Sequence, residues 1–279
     1  MKIGFIGQGW IGRNYADDFE NRGYTVVRYS LEEPYVLNKK AIADCEITFI
    51  AVPTPTTPQG FDDSFLSDAL TNISHGNIAV IKSTTTPGLV LLLQEKFTEI
   101  IVLHSPEFLV EKTAAHDAAH PNRNIIGIPM QTDNHRAAAK KVLAVLPSAP
   151  FNTIMSSLDS ELVKYAGNCF LYTKVLFMNA LYDLVEQSGG SFEDIIEAIV
   201  HDPRIGTSHT RPVHDTGRGA GGHCFIKDFE AFRQHYKATL GEDRAYDLLT
   251  AQVSYNNELL RTSAKDIDIL EGVYGQEII

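Results

Sequence analysis

With 279 residues, 44% of them hydrophobic, the chain can hold two domains or one large one and has the composition of an ordinary globular protein. Lys and Arg number 24 against 35 Asp and Glu; the net charge of −11 argues against nucleic acid or an anionic membrane surface as the main partner. Three widely spaced cysteines, Cys45, Cys169 and Cys224, form no CxxC pair, and none of the ten histidines stands in a metal-ligand spacing. That usage fits a reducing cytoplasm and no bound metal. The opening Met1–Ile6 reads as a strand without the length or cleavage pattern of a secretory signal. The most apolar long segment, Cys169 to Val185, is interrupted by Lys174, Asn179 and Asp183 and is too polar for a membrane span.

Lys2 to Ile6 runs directly into Gly7-Gln8-Gly9-Trp10-Ile11-Gly12, and a helical pattern follows through Tyr15, Ala16 and Phe19. In such a GxGxxG turn the first glycine permits the tight bend and the second lets a pyrophosphate approach the backbone. The third lets helix and strand pack closely, with the helix N-terminus facing the phosphates. A second strand spans Tyr24 to Tyr29, so the start of the chain reads as a Rossmann-type dinucleotide site. Ser30 stands where an acidic residue usually takes the ribose hydroxyls. NAD is the expected cofactor, and NADP stays open because Ser30 with Arg28 could accept a 2′-phosphate, against which Glu32 and Glu33 would act.

Ile47 to Val52 is an apolar strand that ends in Pro53-Thr54-Pro55-Thr56, an extended turn. Ile78 to Ile81 ends in Lys82-Ser83-Thr84-Thr85-Thr86-Pro87-Gly88, and Ile100 to Leu103 ends in His104-Ser105-Pro106-Glu107. Ligands bind outside the carboxyl ends of strands in open parallel sheets, which makes these three loops site candidates. Asn124 to Ile128 reads as a strand, Asn134 to Leu146 as a helix, and Phe151 to Met155 as a last strand after the break Pro147-Ser148-Ala149-Pro150. The expected division is a dinucleotide-binding domain over 1–156 and a mostly helical domain over 157–279.

Ser157 to Gln187 has no proline and a single internal glycine, Gly167, so a long helix is expected, with Lys164 and Asn168 one turn apart on one face. The run Phe170-Leu171-Tyr172 and Leu176-Phe177-Met178 makes it more apolar than one face requires, which points to a homodimer through this helix. Phe192 to Val200 and one or two helices between Ala245 and Tyr274 complete the helical half. Between them, Gly219-Ala220-Gly221-Gly222-His223-Cys224-Phe225-Ile226-Lys227-Asp228 sets a cysteine behind a glycine run and at the start of a helix, where the positive end of the dipole acts on it.

Taken together these motifs resemble the UDP-glucose/GDP-mannose (nucleotide-sugar) 6-dehydrogenases. The resemblance runs in order through Gly7 to Gly12, Ala51-Val52-Pro53-Thr54-Pro55, Lys82-Ser83-Thr84 and Ser105-Pro106-Glu107-Phe108-Leu109 with Glu111. It continues through Glu161-Leu162-Val163-Lys164-Tyr165 with Asn168, Asp202-Pro203-Arg204-Ile205-Gly206, and Gly221-Gly222-His223-Cys224-Phe225 with Lys227-Asp228. It implies NAD-dependent double oxidation of a sugar C6 alcohol to a carboxylate, with Cys224 as nucleophile and Lys164, Asn168, Asp228, Glu107 and Thr84 around it. It further implies a cofactor site of Gly7, Gln8, Gly9, Trp10, Ile11, Gly12, Ser30, Val52, Pro53, Thr54, Thr84 and Glu111. The implied substrate contacts are Glu107, Phe108, Leu109, Lys164, Asn168, Gly221 and Cys224. Ala220, His223 and Val110 depart from the UDP-glucose pattern, His223 toward the UDP-N-acetylhexosamine branch, while Phe225 and Asp228 agree with UDP-glucose. The family's C-terminal UDP-binding domain is expected to be missing, the chain being a fragment, a natural short form that takes its nucleotide grip from an oligomeric partner, or one whose substrate has changed. Two alternatives are a short β-hydroxyacid dehydrogenase, which uses a helix lysine and asparagine without a thiol, and a nucleotide-binding regulator.

Overall fold

The structure is a computed structural model and describes residues 1–214 and 217–275. In chain order its elements are β1 (Lys2–Ile6), α1 (Trp10–Asn21), β2 (Thr25–Tyr29), α2 (Lys39–Ile42), β3 (Ile47–Ile50), β4 (Thr56–Thr57), β5 (Gly60–Phe61), α3 (Ser64–Leu70), β6 (Ile78–Ile81), α4 (Leu89–Lys96), β7 (Ile101–His104), α5 (Ala114–Ala119), β8 (Arg123–Ile128), α6 (Asp133–Val145) and β9 (Phe151–Ser156). They continue with α7 (Ser157–Ser188), α8 (Phe192–Val200), β10 (Val213–His214), β11 (Gly217–Arg218), α9 (Gly222–Leu240), α10 (Arg244–Thr262) and α11 (Ile267–Tyr274). The chain forms two compact units, Met1–Thr54 with Asp62–Lys164, and Pro55–Phe61 with Tyr165–Ile279. Where a division was expected at Ser156, the units part inside α7, because that helix starts directly at the end of β9 and no linker separates them. The Pro147–Pro150 break lies within the first unit, since β9 still pairs in its sheet.

The first unit is a seven-stranded sheet in the order β2-β1-β3-β6-β7-β8-β9. The first five strands run parallel; β8 is antiparallel to β7, and β9 follows the direction of β8. β3 and β6 are buried along their whole length, which explains why all of their residues but Thr48 are apolar: helices cover both faces of the sheet. One face packs Phe5, Phe19 and Phe49, with Phe5 and Phe49 stacked at 5.1 Å, and the other packs Ile42, Ile50, Leu66 and Ile81. The order reverses at β1, between β2 and β3, so the loops leaving β1 and β3 open a crevice at their carboxyl ends.

The second unit is built on α7 from Tyr165 onward with α8 to α11. Tyr172 stacks on Phe229 of α9 with ring centroids 3.9 Å apart, and Tyr165, Val253 and Leu259 fill the same core. The segment expected as an extended turn, Pro53-Thr54-Pro55-Thr56, stays outside regular structure through Pro55, and its last residue opens a hairpin, β4 with β5, which packs on α9 and α11. Proline-rich sequence hid it, because only two residue pairs bond. Among the described residues no helix is long and apolar enough to cross a membrane.

Two fully buried groups tie the first turns of α7 to the sheet. Glu161 accepts the N–H groups of Gly88 and Val90 at 2.7 and 2.9 Å, capping α4, and His104 at the end of β7 pairs through Nδ1 with Ser160 Oγ at 2.7 Å. Gly127 is needed beside them, since a Cβ there would lie 2.0 Å from Ser160 Oγ. Burial pushes the Glu161 carboxyl from 4.5 up to about 7, against the pull of its backbone partners. Burial, with Lys82 and Lys164 nearby, holds His104 from 6.5 down to about 3.

The two shifts act oppositely on stability. Glu161 binds protons more tightly folded than unfolded, so its contribution is present in acid and is lost as pH rises from about 4.5 to about 7. His104 binds them less tightly, so its contribution is present above 6.5 and is lost as pH falls toward 3. At about 1.4 kcal/mol per unit, each amounts to a few kcal/mol. Chemical denaturation between pH 4.5 and 7 is expected to show Glu161→Gln gaining stability with pH more steeply than wild type, and His104→Gln losing it. Parallel pH profiles for all three proteins would contradict these assignments.

Candidate active site

The turn after β1 has the shape a dinucleotide needs. Gly7 has φ +90°, and a Cβ on it would lie 2.2 Å from the Ala51 carbonyl oxygen. A Cβ on Gly12 would lie 1.9 Å from the Gly7 oxygen, so α1 and the turn can approach only as glycines. Gly9 has open space where a side chain would be, caps α1 without a side-chain hydrogen bond, and is followed by no acidic residue in the first helical turn. That leaves a helix N-terminus suited to a pyrophosphate. Gln8 donates to the Gly7 carbonyl at 3.0 Å, while its buried Oε1 has no partner. Trp10 is exposed at the opening of α1, and Ile11 packs on the core. These residues fit NAD.

At the ribose end Ser30 donates to the Glu32 carbonyl at 3.0 Å. Arg28 is already engaged by Asp17 at 2.6 Å and Glu20 at 2.8 Å, so two carboxylates neutralise the cation that a 2′-phosphate would require. The local arrangement therefore favours NAD over NADP. Ser83 donates to the Val52 carbonyl at 2.7 Å and joins the loops after β3 and β6; Pro53 is exposed, Thr54 is buried, and Thr84 follows half-buried.

Glu107 organises the loop after β7. Its Oε1 accepts the N–H groups of Phe108 at 2.6 Å and Leu109 at 2.9 Å, and its Oε2 lies 3.0 Å from the Lys82 ammonium. Both ends of this ion pair are buried. Lys82 also reaches Ser105 Oγ at 3.3 Å and lies over the Tyr15 ring at 4.2 Å. Burial, and then the Glu107 carboxylate by charge and hydrogen bond, push the Tyr15 phenol well above its ordinary range. Lys164 donates to the Glu107 carbonyl at 2.5 Å, and its ammonium stands 5.6 Å from the Phe108 ring, which Arg123 covers at 3.8 Å. Glu107, Phe108, Leu109, Lys82 and Arg123 line a cleft of about 260 Å³. Glu111 is exposed on the turn beyond it.

In the second unit Asn168 donates to Asp228 at 2.6 Å, and Lys227 pairs with the other oxygen of the same buried carboxylate. Cys224 lies one turn before Asp228 on α9 and is exposed, whereas Cys45 and Cys169 are buried. Burial pushes the Cys45 thiol to about 11 and raises Cys169 further, with Asp228 adding to it. Gly221 lies so close to Asp266 that a Cβ would stand 2.0 Å from Oδ2. Of the residues expected to act, the structure thus groups Glu107, Phe108, Leu109 and Lys164 in the first unit and Asn168, Cys224 and Asp228 in the second.

No residue pattern marks Tyr15, Arg123 or Asn256 as part of a site, and Lys82 stands out only as part of the Lys82-Ser83-Thr84 loop. Lys82 was the most accessible of these, since a lysine immediately after a wholly apolar buried strand requires a partner.

A Rossmann-type sheet followed by a helical unit on a long helix defines a two-part dinucleotide-binding protein. Residues 35–146 match the NAD binding domain of the UDP-glucose/GDP-mannose dehydrogenase family, and residues 159–260 match that family's central domain. A UDP-glucose 6-dehydrogenase of Rhizobium meliloti is 30% identical over 314 residues, covering 96% of this chain and 70% of the relative. One of Rickettsia conorii is 34% identical over 199 residues, covering 68% of this chain and 44% of the relative. The solved UDP-glucose dehydrogenase of the archaeon Pyrobaculum islandicum superposes with a TM-score of 0.81 at 26% identity, over 97% of this chain and 70% of that one. The chain belongs to the UDP-glucose/GDP-mannose dehydrogenase family. It spans about half the length of several curated relatives, 44% and 43% in two of them.

Lys82→Met is expected to destabilise the protein by about 3–5 kcal/mol, because it leaves the Glu107 carboxylate buried without its cation. Adding Glu107→Gln should recover part of that loss. Urea denaturation of the two single variants and the double variant measures the coupling, and strictly additive losses would refute it.

Proposed function

We propose that the protein carries out NAD-dependent, two-step oxidation of the C6 alcohol of a UDP-glucose-like nucleotide sugar to the uronic acid. The observation that carries the proposal is the contrast among the thiols: Cys224 alone is exposed, on the first turn of a helix behind glycines, with the Asn168–Asp228 pair anchored one turn further on. When bound, NAD supplies the acceptor for the hydride removed at each oxidation.

In this reading Cys224 Sγ adds to the aldehyde carbon to give a thiohemiacetal, and the second oxidation leaves a thioester. Water then releases the acid and restores the thiol. Each tetrahedral species carries oxyanion character, which the Lys164 ammonium and the Asn168 amide offset; loss of one such donor commonly costs on the order of 10²-fold in rate. Glu107 is assigned to the hydrolytic water, with Thr84 and Asp228 positioning water and protons. The substrate contacts assigned are Phe108, Leu109 and Gly221, and the cofactor contacts are Gly7 to Gly12, Ser30, Val52 to Thr54 and Glu111.

Cys224→Ser is expected to abolish acid formation. Wild type should form two NADH per sugar in a screen of UDP-glucose, UDP-N-acetylhexosamines, GDP-mannose and simple hydroxyacids, repeated with NADP. One NADH per substrate together with an active Cys224→Ser enzyme would sink this reading and favour a β-hydroxyacid dehydrogenase. Binding of NADH without turnover of any compound would favour a regulator.

The partner proposed is a second copy of the chain. Phe170, Phe177 and Leu184 are 68%, 62% and 64% exposed on α7, and their seven-residue spacing lines them up along one side of the helix. Phe177→Asp is expected to shift the sedimentation coefficient from dimer to monomer; an unchanged dimer would exclude this face.

A further inference from the structure

The backbone that presents Cys224 is held from one place, the end of α10 and the turn into α11. Asn256, fully buried on α10, brackets one residue and so holds two successive peptide units: its Oδ1 accepts the Ala220 N–H at 2.7 Å, and its Nδ2 donates to the Ala220 carbonyl at 3.1 Å. The buried Lys265 ammonium donates to the carbonyls of Gly219 at 3.1 Å and Gly217 at 3.4 Å. Asp266 accepts the Gly222 N–H, the first of α9, at 2.7 Å, and Ser263 Oγ accepts the N–H of Arg218 at 3.1 Å.

The fit is close at each point. A Cβ on Gly219, where φ is +91°, would meet Asn256 Oδ1 at 3.1 Å and Leu259 Cβ at 3.2 Å, and one on Gly221 would collide with Asp266. Asp266 and Ala264 themselves have φ of +53° and +51°, a left-handed conformation uncommon for such residues. It allows Lys265 and Asp266, adjacent in sequence, to engage different peptide units of the same loop. Four side chains, Asn256, Ser263, Lys265 and Asp266, thus converge on residues 217–222 from a segment about forty residues further along the chain.

We propose that Asn256, supported by Lys265 and Asp266, is the positioning group for Cys224: it fixes the glycine loop so that α9 begins at Gly222 and the thiol stands on its first turn. The inference rests on the reading of Cys224 as nucleophile for its catalytic consequence, but the placement of the thiol can be measured without it. Cys224 is already exposed, so loosening the loop cannot gain it access; fraying the first turn of α9 removes the helical backbone that sets the thiol in place and the aligned N–H groups beside it.

The test is the alkylation rate of Cys224 by iodoacetamide at fixed pH in the 279-residue chain, read by peptide mass spectrometry with buried Cys45 and Cys169 as internal references. Asn256→Ala is expected to slow Cys224 by about 2- to 5-fold, the size of a helix-terminus effect. It should also lower kcat for acid formation while leaving KM within about twofold. Asn256→Asp, which keeps the acceptor for Ala220, should recover part of the rate. Asp266→Ala, a half-buried site losing one hydrogen bond, should give a smaller slowing and decides the matter if Asn256→Ala does not fold. Wild-type alkylation rates and kcat in folded Asn256→Ala, or in Asp266→Ala where the first variant is unfolded, would overturn the proposal. If Cys224→Ser still forms acid, the catalytic reading fails separately, and the alkylation rates still decide the positioning.

Discussion

The buried ion pair between Lys82 and Glu107 is the constraint on which the loops after β6 and β7 in the first unit depend. Each partner lies at the end of a neighbouring parallel strand, so the 3.0 Å contact joins the loops after β6 and β7 where side chains leave the sheet. An isolated charge at either position would carry a large desolvation cost, and the pair is tolerated because Ser105 and the N–H groups of Phe108 and Leu109 satisfy the remaining polar atoms. The Phe108–Leu109 backbone consequently has little freedom. Lys164 then bonds to the Glu107 carbonyl, so a helix lysine that would otherwise be a solvated charge is fixed at the same loop.

The second unit holds its loop with side chains drawn from a distant segment. Its cysteine loop contains glycines at 217, 219, 221 and 222, which permit tight backbone paths but supply no side chains to hold them. Rigidity must come from elsewhere, and it comes from the amide of Asn256 and the charges of Lys265 and Asp266. The hairpin at Thr56–Phe61 packs on the same helices, α9 and α11, so a segment that leaves the sheet after β3 contributes to the scaffold around α9. A loop built this way combines close approach with little entropy to lose on binding.

Much of this architecture could be read from residue pattern. The apolar runs at Lys2, Ile47 and Ile78, the glycine turn between a strand and a helix, and the long stretch after Ser157 without proline correspond to β1, β3, β6, α1 and α7. Their signals are local and repeat with the period of the element. The hairpin, the antiparallel turn of the sheet at β8 and the position of the division inside α7 were not legible, because each is set by which segments pair across the chain. The same difference separates Cys224, marked by its glycine-rich neighbourhood, from Asn256, an unremarkable polar residue until Ala220 is placed against it.

The sequence by itself determined the Rossmann-type fold class, the helical second half and the residues resembling a nucleotide-sugar dehydrogenase, since turn chemistry, hydrophobic period and motif order lie within short windows. Only the tertiary structure decided that Arg28 is occupied by Asp17 and Glu20, that Glu107 is fixed by Lys82, and that Cys45 and Cys169 are buried while Cys224 is exposed. Charge pairing, burial and desolvation depend on atoms brought together from distant parts of the chain, and those distances come into being only when the chain folds.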